Sequence, residues 1–406
     1  MNTIISLKEA LEKVVDNTAM LESIEVGFMD ALGYVLAEDV ISDIDMPPFD
    51  KSAMDGYAVK TADVKQVPAR LAVIEEIPAG KVPQKKVASG QCAAIMTGAP
   101  VPEGADTVVM IEYSRKDERE GYIIIEKGAG KGENICFQGE DIKKSQTVLR
   151  AGTRLMPQHI GILASVGKTR LRAIRKPTFA VITTGSEIVE ADQIPAAGQI
   201  RNSNAYSLQA QIIQAGYHVR YLGISVDKPG NLRQAIGKAL TDDITLLSGG
   251  VSMGNYDLVP QVLKEMGAEI IFHNVAIKPG KPVLFAKLDR SLIFGVPGNP
   301  ISTLIGYDKL ILPAARKMAG EKILFRPTIT AVLESDLKVK PGRLGLRHAE
   351  IVHRDGKFYA EPVPTHGSAD LLSTAQSNGI IIIPADTTHI SAGDLVEAEL
   401  WDGWWK

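Results

Sequence analysis

The chain has 406 residues, of which 45% are hydrophobic and 23% are charged, and its formal net charge is -3. This length predicts two to four domains rather than one core, and the near-balance of charge excludes the strongly basic pattern of a nucleic-acid-binding protein. No apolar run approaches the roughly 18 residues of a membrane-spanning helix, and the N-terminus lacks the pattern of a secretory signal. Only two cysteines are present. A disulfide framework and a structural zinc site are therefore not expected, and the cytoplasm is the expected compartment.

The first 60 residues combine helical signals with a proline-rich segment. Apolar spacing and a capping-box pattern predict a helix over Ser6–Val15. Mixed helical signals continue over Glu25–Val40. Pro47-Pro48 blocks a helix, so the polar side chains within Asp43–Val59 are expected in a loop.

The next region is expected to form a small all-β domain, because short runs rich in β-branched residues alternate with turn signals. The segment Gly128–Asp141 is a glycine-rich, polar connection. A helical pattern resumes at Pro157–Gly167, and the basic run Lys168–Lys176 is expected to be a solvated strand before a domain boundary. The predicted strands of the β domain are Ala72–Ile77, Gln91–Met96, Thr107–Ile111 and Tyr122–Glu126.

Strand-like and helix-like segments alternate between Pro177 and Ala319, which favours a doubly wound, mostly parallel α/β sheet. After Pro327 the pattern returns to strands and predicts a C-terminal β domain. The predicted α/β strands are Phe179–Thr183, His218–Leu222, Ile244–Leu247, Glu269–Phe272, Pro282–Ala286 and Leu292–Val296, and the helices are Ser203–Ala215, Asn231–Leu240, Leu258–Met266 and Pro300–Met318. The predicted C-terminal strands are Thr328–Leu333, Leu346–His353, Lys357–Glu361, Gly379–Ile383 and Asp394–Trp401.

Four turns of the α/β region have a composition suited to binding an anion. In an open α/β sheet, ligands bind beyond the carboxyl ends of the strands, and glycine lets a ligand approach the backbone. No complete P-loop or dinucleotide-binding fingerprint is present, which disfavours a nicotinamide dehydrogenase. The four turns are Pro177–Glu187, Leu247–Asp257, Ile277–Pro282 and Gly295–Pro300.

The charged residues of these turns indicate the chemistry. Glu187, Asp227 and Asp257 each follow a predicted strand, and with Asp55 they offer the hard oxygen ligands that Mg²⁺ prefers. Two lysines in Ile277–Pro282 add cationic donors for phosphate or another oxyanion. Such a set favours phosphoryl or phosphoanhydride chemistry, although each residue taken singly is equally compatible with a helix cap, a surface ion pair or an ordinary turn.

The unusual segments follow one another in a definite order along nearly the whole chain. They are Met46–Asp50, Ser52–Val59, Thr97–Ala99, Gly104–Asp106, Gly139–Asp141, Thr183–Glu187, Asn202–Asn204, Ser248–Ser252, Lys278–Pro282 and Pro297–Pro300. In this order they resemble the molybdopterin molybdenumtransferase family, which includes bacterial MoeA and the E domain of gephyrin.

The resemblance agrees with a multidomain α/β plus β fold. The domains it implies are an elongated linker domain (1–45 with 142–176), an inserted β domain (46–141), an α/β molybdopterin-binding domain (177–326) and a C-terminal β domain (327–406). The implied reaction inserts molybdate into the dithiolene of adenylylated molybdopterin, with Mg²⁺-dependent hydrolysis and release of AMP. The implied assembly is a head-to-tail homodimer with a composite active site, which makes transient contact with the molybdopterin adenylyltransferase and with apo-molybdoenzymes.

The resemblance also assigns roles to individual residues. The implied catalytic residues are Asp55, Thr97, Asp141, Glu187 and Asp257, and the implied metal ligands are Glu187, Asp227 and Asp257. The implied residues for the pterin, its phosphates and molybdate are Ser186, Asp227, Ser248, Gly249, Gly250, Ser252, Lys278, Lys281, Pro297, Gly298, Asn299, Arg343 and Ser368. Two alternatives stay open at this point: the adenylyltransferase that acts one step earlier, and a gephyrin-like scaffold without catalysis.

Overall fold

The computed structural model of the protein describes residues 4–251 and 258–401. The chain divides into two compact units: a larger one with residues 1–25, 33–37 and 172–406, and a smaller one with residues 26–32 and 38–171. The strands Ser23–Gly27 and Arg170–Ile174 cross this division. Within the described residues, no helix combines the length and the apolar character needed to cross a bilayer. The division into four domains stays a prediction.

The smaller unit is built on a six-stranded sheet that contains all four strands predicted for the β domain. One neighbour of Gln91–Ile95 in this sheet is Gly56–Val59, which was expected to be a loop. That expectation was wrong. A Cβ atom on Gly56 would lie 2.0 Å from the carbonyl oxygen of Val109, so glycine permits the close pairing of two strands here. The sheet order is Thr107–Met110, Gly56–Val59, Gln91–Ile95, Ala69–Ile77, Tyr122–Ile125, Ser114–Lys116.

Short elements complete the smaller unit. The helix Pro157–Ser165 lies where it was predicted. The helical signals over Glu25–Val40 were misleading, because this stretch forms short strands and a turn in which Gly33 has a φ of 77°. Glycine in this left-handed conformation interrupts a helix. The strand Val35–Leu36 belongs to the larger unit. The remaining elements of the smaller unit are the strands Val40–Ile41, Lys51–Ser52, Ile135–Cys136 and Thr147–Leu149 and the 3₁₀ turns Thr61–Val64 and Ile111–Tyr113.

The larger unit contains a second six-stranded sheet, with the doubly wound arrangement that was predicted. Successive residues of Thr178–Thr184 belong alternately to two apolar clusters, one with Leu208 of the helix Ser203–Gln214 and one with Leu232 of the helix Pro229–Ala239. Helices therefore cover both faces. The sheet order is His218–Ser225, Thr178–Thr184, Ile244–Ser248, Ser291–Val296, Leu284–Leu288, Glu269–His273. The first four strands are parallel, and the last two are antiparallel to their neighbours.

The C-terminal part of the larger unit is a closed β barrel. Leu344–Arg354 pairs with both Lys357–Pro362 and Gly379–Ile383, and this second pairing closes the ring. Ile329–Leu333 and Leu395–Leu400 complete it. The other strands of this unit are Ile188–Val189, Ile200–Arg201, Ile277–Lys278, Leu337–Lys338 and His389–Ile390. Its other helices are Leu7–Asp16, Val259–Glu265, Pro300–Gly306, Leu312–Met318 and Leu371–Ala375, with a π-helical turn at Tyr307–Ile311.

A buried histidine makes the stability of this barrel dependent on pH. His348 is 4% exposed and packs edge-on against Trp401, with ring centroids 5.2 Å apart. Burial, and to a lesser degree the charge of Arg347, lowers the pKa of His348 to about 4. The neutral ring is therefore favoured in the folded state, and its stabilisation is complete above the unfolded pKa of about 6.5 and lost as the pH falls towards 4.

We expect the free energy of unfolding to fall by about 3 kcal/mol between pH 7 and pH 4 on account of His348. Urea titrations at several pH values measure this loss. The variant His348→Phe keeps an aromatic ring beside Trp401 but cannot titrate, so its stability is expected to change less over the same range. An equal loss in wild type and variant contradicts the assignment.

Candidate active site

The carboxyl ends of the parallel strands lie at one edge of the larger unit's central sheet. Thr183 is paired with Ser248, and Ser248 is paired with Val296 on its other side. Thr184 is paired with Ser225 of the outer strand. Neighbouring strands are about 4.8 Å apart, so the turns that follow these residues begin side by side. The backbone therefore confirms the expectation that these turns begin at one edge of the sheet.

Two of the predicted carboxylates follow these strand ends. The hydroxyl of Ser186 lies 3.5 Å from Oδ2 of Asp227, at the edge of hydrogen-bonding distance. Glu187 is exposed, and its Oε2 folds back to within 2.9 Å of the position that a Cβ on Gly185 would occupy. The described residues contain no group of three or more His, Cys, Asp or Glu side chains arranged to hold a metal. Ser252 and the third predicted ligand, Asp257, lie outside the described residues.

The Ser248-Gly249-Gly250 turn fits tightly against the neighbouring strand. Gly249 and Gly250 have φ angles of 93° and 64°, and a Cβ on Gly249 would lie 2.4 Å from the carbonyl oxygen of Thr184. The backbone N–H of Gly249 donates to the carbonyl of Val296 at 3.1 Å. This N–H is therefore not available to bind a phosphate, because the ladder between the two strands continues one residue beyond Ser248.

The Pro297-Gly298-Asn299 turn leads into a helix and carries a contact to the C-terminal region. The helix begins at Pro300. The side-chain amide of Asn299 donates to the hydroxyl of Ser368 at 2.7 Å, and the N–H of Ile301 donates to the carbonyl of Ser368 at 3.1 Å. Ser368, predicted from a less closely matching loop, thus lies beside a predicted site turn.

The lysine-bearing segment lies against the same helix. A Cβ on Gly280 would lie 3.6 Å from the carbonyl oxygen of Ser302, in the first turn of that helix. Arg343 donates to the carbonyl of Ile277 at 3.2 Å. Lys278 and Lys281 flank Gly280, so three predicted cations belong to neighbouring segments. This arrangement favours binding of an anion.

In the smaller unit, Asp55 and Thr97 lie together. Oδ1 of Asp55 accepts hydrogen bonds from the backbone N–H of Thr97 at 2.7 Å and from its hydroxyl at 2.9 Å. These two bonds, the backbone one first, lower the pKa of Asp55 below its usual value. Asp141 is held by a separate contact, since its N–H donates to the carbonyl of Met46 at 3.0 Å. The unit therefore presents an ionised carboxylate next to a threonine.

Removing the hydroxyl of residue 97 is expected to raise the pKa of Asp55. Thr97→Val keeps the size of the side chain and the backbone N–H, so the pKa should return only part of the way to its usual value. A carboxyl ¹³C NMR titration measures it. Thr61→Val is the matched control, because the hydroxyl of Thr61 donates to Asp106, and this variant should raise the pKa of Asp106 only. An unchanged pKa of Asp55 in Thr97→Val would contradict the geometry.

Asn204 is a residue of this site to which no role was assigned from the sequence. It is 7% exposed. Its Nδ2 donates to the hydroxyl of Ser248 at 3.0 Å and to the carbonyl of Gly298 at 2.8 Å. The feature of the sequence that could have pointed to Asn204 is its place in the motif Asn202–Asn204. In the structure it lies beside Ala205 on the buried face of a helix.

Comparison with known proteins finds similarity along nearly the whole chain. A family model of the MoeA N-terminal region (domain I and II) matches residues 5–167. A model described as a probable molybdopterin binding domain matches residues 180–317, and a model of the MoeA C-terminal region (domain IV) matches residues 330–401.

Individual relatives agree with these models. The molybdopterin molybdenumtransferase of Staphylococcus epidermidis is 34% identical over 404 residues, which cover 98% of this chain and 96% of that protein. The protein of the same name from Bacillus subtilis is 34% identical over 406 residues, covering 98% and 94%. The chain belongs to the molybdopterin molybdenumtransferase family. The crystal structure of the molybdopterin biosynthesis moeA protein from Pyrococcus horikoshii OT3 superimposes with a TM-score of 0.83 at 30% identity, covering 98% of this chain and all of that one.

These matches confirm the family and the fold class expected from the sequence. They span the β-rich segments before and after the α/β region as well as that region itself. Membership of the molybdopterin molybdenumtransferase family therefore describes the chain as a whole rather than one shared domain.

Proposed function

We propose that this protein inserts molybdate into the dithiolene of adenylylated molybdopterin, with hydrolysis of the adenylate and release of AMP. Water is consumed in cleaving the phosphoanhydride bond. Molybdate loses one oxygen as water, which takes the protons of the two thiols, as its molybdenum binds the two dithiolene sulfurs. The reaction places the protein in molybdenum cofactor biosynthesis, as a transferase acting in the cytoplasm. Apo-molybdoenzymes and the adenylyltransferase are its proposed transient partners.

The observation that carries this proposal is the common edge formed by four strand ends. One edge brings together the two carboxylate-bearing turns and two glycine-bearing turns, because Thr184 pairs with Ser225, and Ser248 pairs with both Thr183 and Val296. A phosphorylated substrate with a polar ring system fits such an edge, because ligands of open α/β sheets bind beyond the carboxyl ends of the strands. The full-length family match gives the reaction its particular substrate.

The carboxylates fit a magnesium ion shared with the substrate. Mg²⁺ commonly takes one or two protein carboxylates and completes its shell with water and substrate phosphate oxygens. Glu187 and Asp227 follow adjacent strands, and Ser186 links them through its contact with Asp227. In the proposed site Glu187, Asp227 and Asp257 hold Mg²⁺, which would neutralise negative charge on the phosphoanhydride.

The cationic segments fit molybdate and the substrate phosphates. We assign Lys278, Lys281, Arg343 and Ser368 to these anions, because their segments meet around the first turn of the helix Pro300–Gly306. Arg343 can form paired hydrogen bonds with an oxyanion, whereas the lysines act as point charges. The exposed hydroxyl of Ser186 and the turns at Ser248 and Pro297 are assigned to the pterin and its phosphate.

The active site is proposed to be completed by a second copy of the chain in a head-to-tail homodimer, which supplies Asp55, Thr97 and Asp141.

Complementation between two inactive variants tests this assembly. Asp55→Ala and Glu187→Gln should each be inactive alone. After random exchange of subunits, half of the dimers are mixed, and each mixed dimer has one intact site, so about a quarter of wild-type activity should return. No recovery, with exchange verified by native mass spectrometry, would show that one copy supplies all these residues.

The proposed reaction is tested by measuring AMP release from adenylylated molybdopterin in the presence of molybdate and Mg²⁺. In parallel, ATP consumption is measured with free molybdopterin. We expect the first activity and not the second. ATP consumption without AMP release from the adenylylated substrate would assign the adenylyltransferase step instead, and absence of both activities would favour a scaffold.

A further inference from the structure

A buried asparagine links the turns that form the candidate site. Asn204 lies in the first turn of the helix Ser203–Gln214, and its amide group reaches two different strand ends. One hydrogen of Nδ2 goes to the hydroxyl of Ser248 and the other goes to the carbonyl of Gly298. Both donors of the amide are therefore used within the site.

The orientation of this amide is determined by its partners. The carbonyl of Gly298 can only accept a hydrogen bond, so the NH₂ group and not the oxygen must face it. Rotating the amide by 180° would place two acceptors against each other. Among the described residues, Oδ1 of Asn204 has no hydrogen-bond partner and is buried. A buried acceptor without a partner costs roughly 1–3 kcal/mol, so this position is not explained by stability alone.

Asn204 also stands at the centre of a longer chain of contacts. Ser248 ends one strand, and Gly298 belongs to the turn after the next strand in the sheet. The following residue, Asn299, donates to the hydroxyl of Ser368 at 2.7 Å. A single side chain thus fixes the spacing between two turns, and through the second turn it sets the position of Ser368.

We propose that Asn204 is a positioning residue, which holds the Ser248-Gly249-Gly250 and Pro297-Gly298-Asn299 turns at the spacing needed to bind the adenylylated substrate. This inference rests on the proposed function. Asn204 acts through Ser248 and Gly298 and is not itself assigned a contact with the substrate. Loss of its two hydrogen bonds leaves the polar groups of both turns free to move apart, which weakens binding more than it weakens the fold.

AMP is the probe, because it is the product of the proposed reaction and shares the adenylate group of the substrate. Asn204→Leu keeps the approximate size of the side chain and removes both donors. Isothermal titration calorimetry with AMP and Mg²⁺ should give a Kd about tenfold or more above that of the wild type.

The matched control is Asn378→Leu. Asn378 is 1% exposed and also makes two side-chain hydrogen bonds, both to Ile351 in the C-terminal barrel. The Asn378→Leu variant should have a lower thermal midpoint of unfolding and an unchanged Kd for AMP.

A pH profile separates positioning from a merely structural role. In Asn204→Asp the ionised carboxyl group presents an acceptor to the carbonyl of Gly298, whereas the protonated group can donate to it. Burial raises the pKa of such a carboxyl group. The affinity of this variant for AMP, relative to wild type at the same pH, should therefore recover as the pH is lowered, at a temperature where all variants are folded.

Two negative results have different meanings. If wild type binds AMP and Asn204→Leu binds it equally well, or loses no more affinity than Asn378→Leu, the positioning role is wrong and the proposed function stands. If wild type neither binds AMP nor releases it from adenylylated molybdopterin, the proposed function fails and the positioning role fails with it.

Discussion

Replacing Glu187 by glutamine is expected to reduce the rate of AMP release by about 100-fold or more and to leave the thermal midpoint unchanged. Glu187 is exposed just beyond the carboxyl end of the strand Thr178–Thr184, the second strand of the central sheet. Its carboxylate is assigned to Mg²⁺ in the proposed site, and an amide oxygen is a weaker ligand for a hard cation than a carboxylate. Because the change preserves size and removes no hydrogen bond on which the fold depends, the loss should be confined to catalysis.

Asp192→Asn is the control for this prediction. Asp192 is an exposed acidic residue five positions further along the chain, and it has no role in the proposed site. Both variants change the net charge by the same amount, so a general electrostatic effect would reduce their rates equally. Excess Mg²⁺ should partly restore Glu187→Gln if the carboxylate binds the metal. A wild-type rate in Glu187→Gln would remove this residue from the site.

The parts of the site that could be predicted are those that follow from strand periodicity. The apolar runs of the α/β region are buried on both faces, so their ends are marked by the change to glycine, hydroxyl and carboxylate residues. That rule located Ser186, Glu187 and Asp227 correctly at one edge of the sheet. It also located the Ser248 and Pro297 turns, because parallel strands end at the same edge.

The parts that could not be predicted depend on distant pairings. Whether the N–H of Gly249 is free depends on how far its strand remains paired with Ser291–Val296, and no local pattern shows this. Gly56–Val59 looked like a loop beside Pro47-Pro48, and only its pairing with Thr107–Met110 shows it to be a strand. The role of Asn204 likewise arises from two residues that follow it by 44 and 94 positions.

The opposite edge of the same sheet is expected to control stability rather than catalysis. At the amino ends of two adjacent strands, Asp243 accepts two hydrogen bonds from Arg175, at 2.7 and 2.8 Å. It also accepts from the backbone N–H and the hydroxyl of Thr178. Burial acts to raise the pKa of Asp243, but the hydrogen bonds from Arg175 and Thr178 outweigh it and lower the pKa below the usual value of 3.8.

Asp243→Ala is expected to lower the free energy of unfolding by about 3 kcal/mol, because it leaves a partly buried guanidinium without its main partner. Glu265→Ala, which breaks an ion pair with Arg233 at the surface, should cost less than about 1 kcal/mol. Urea titrations compare the two. The stabilisation by Asp243 is present above the unfolded pKa and is lost as the pH falls through the lower folded value, so the difference between wild type and Asp243→Ala should shrink in strong acid. At temperatures where Asp243→Ala is folded, its rate of AMP release should equal that of wild type, since the proposed substrate site lies at the carboxyl ends of the strands and not at their amino ends. A reduced rate in the folded variant would show that the two edges of the sheet are coupled.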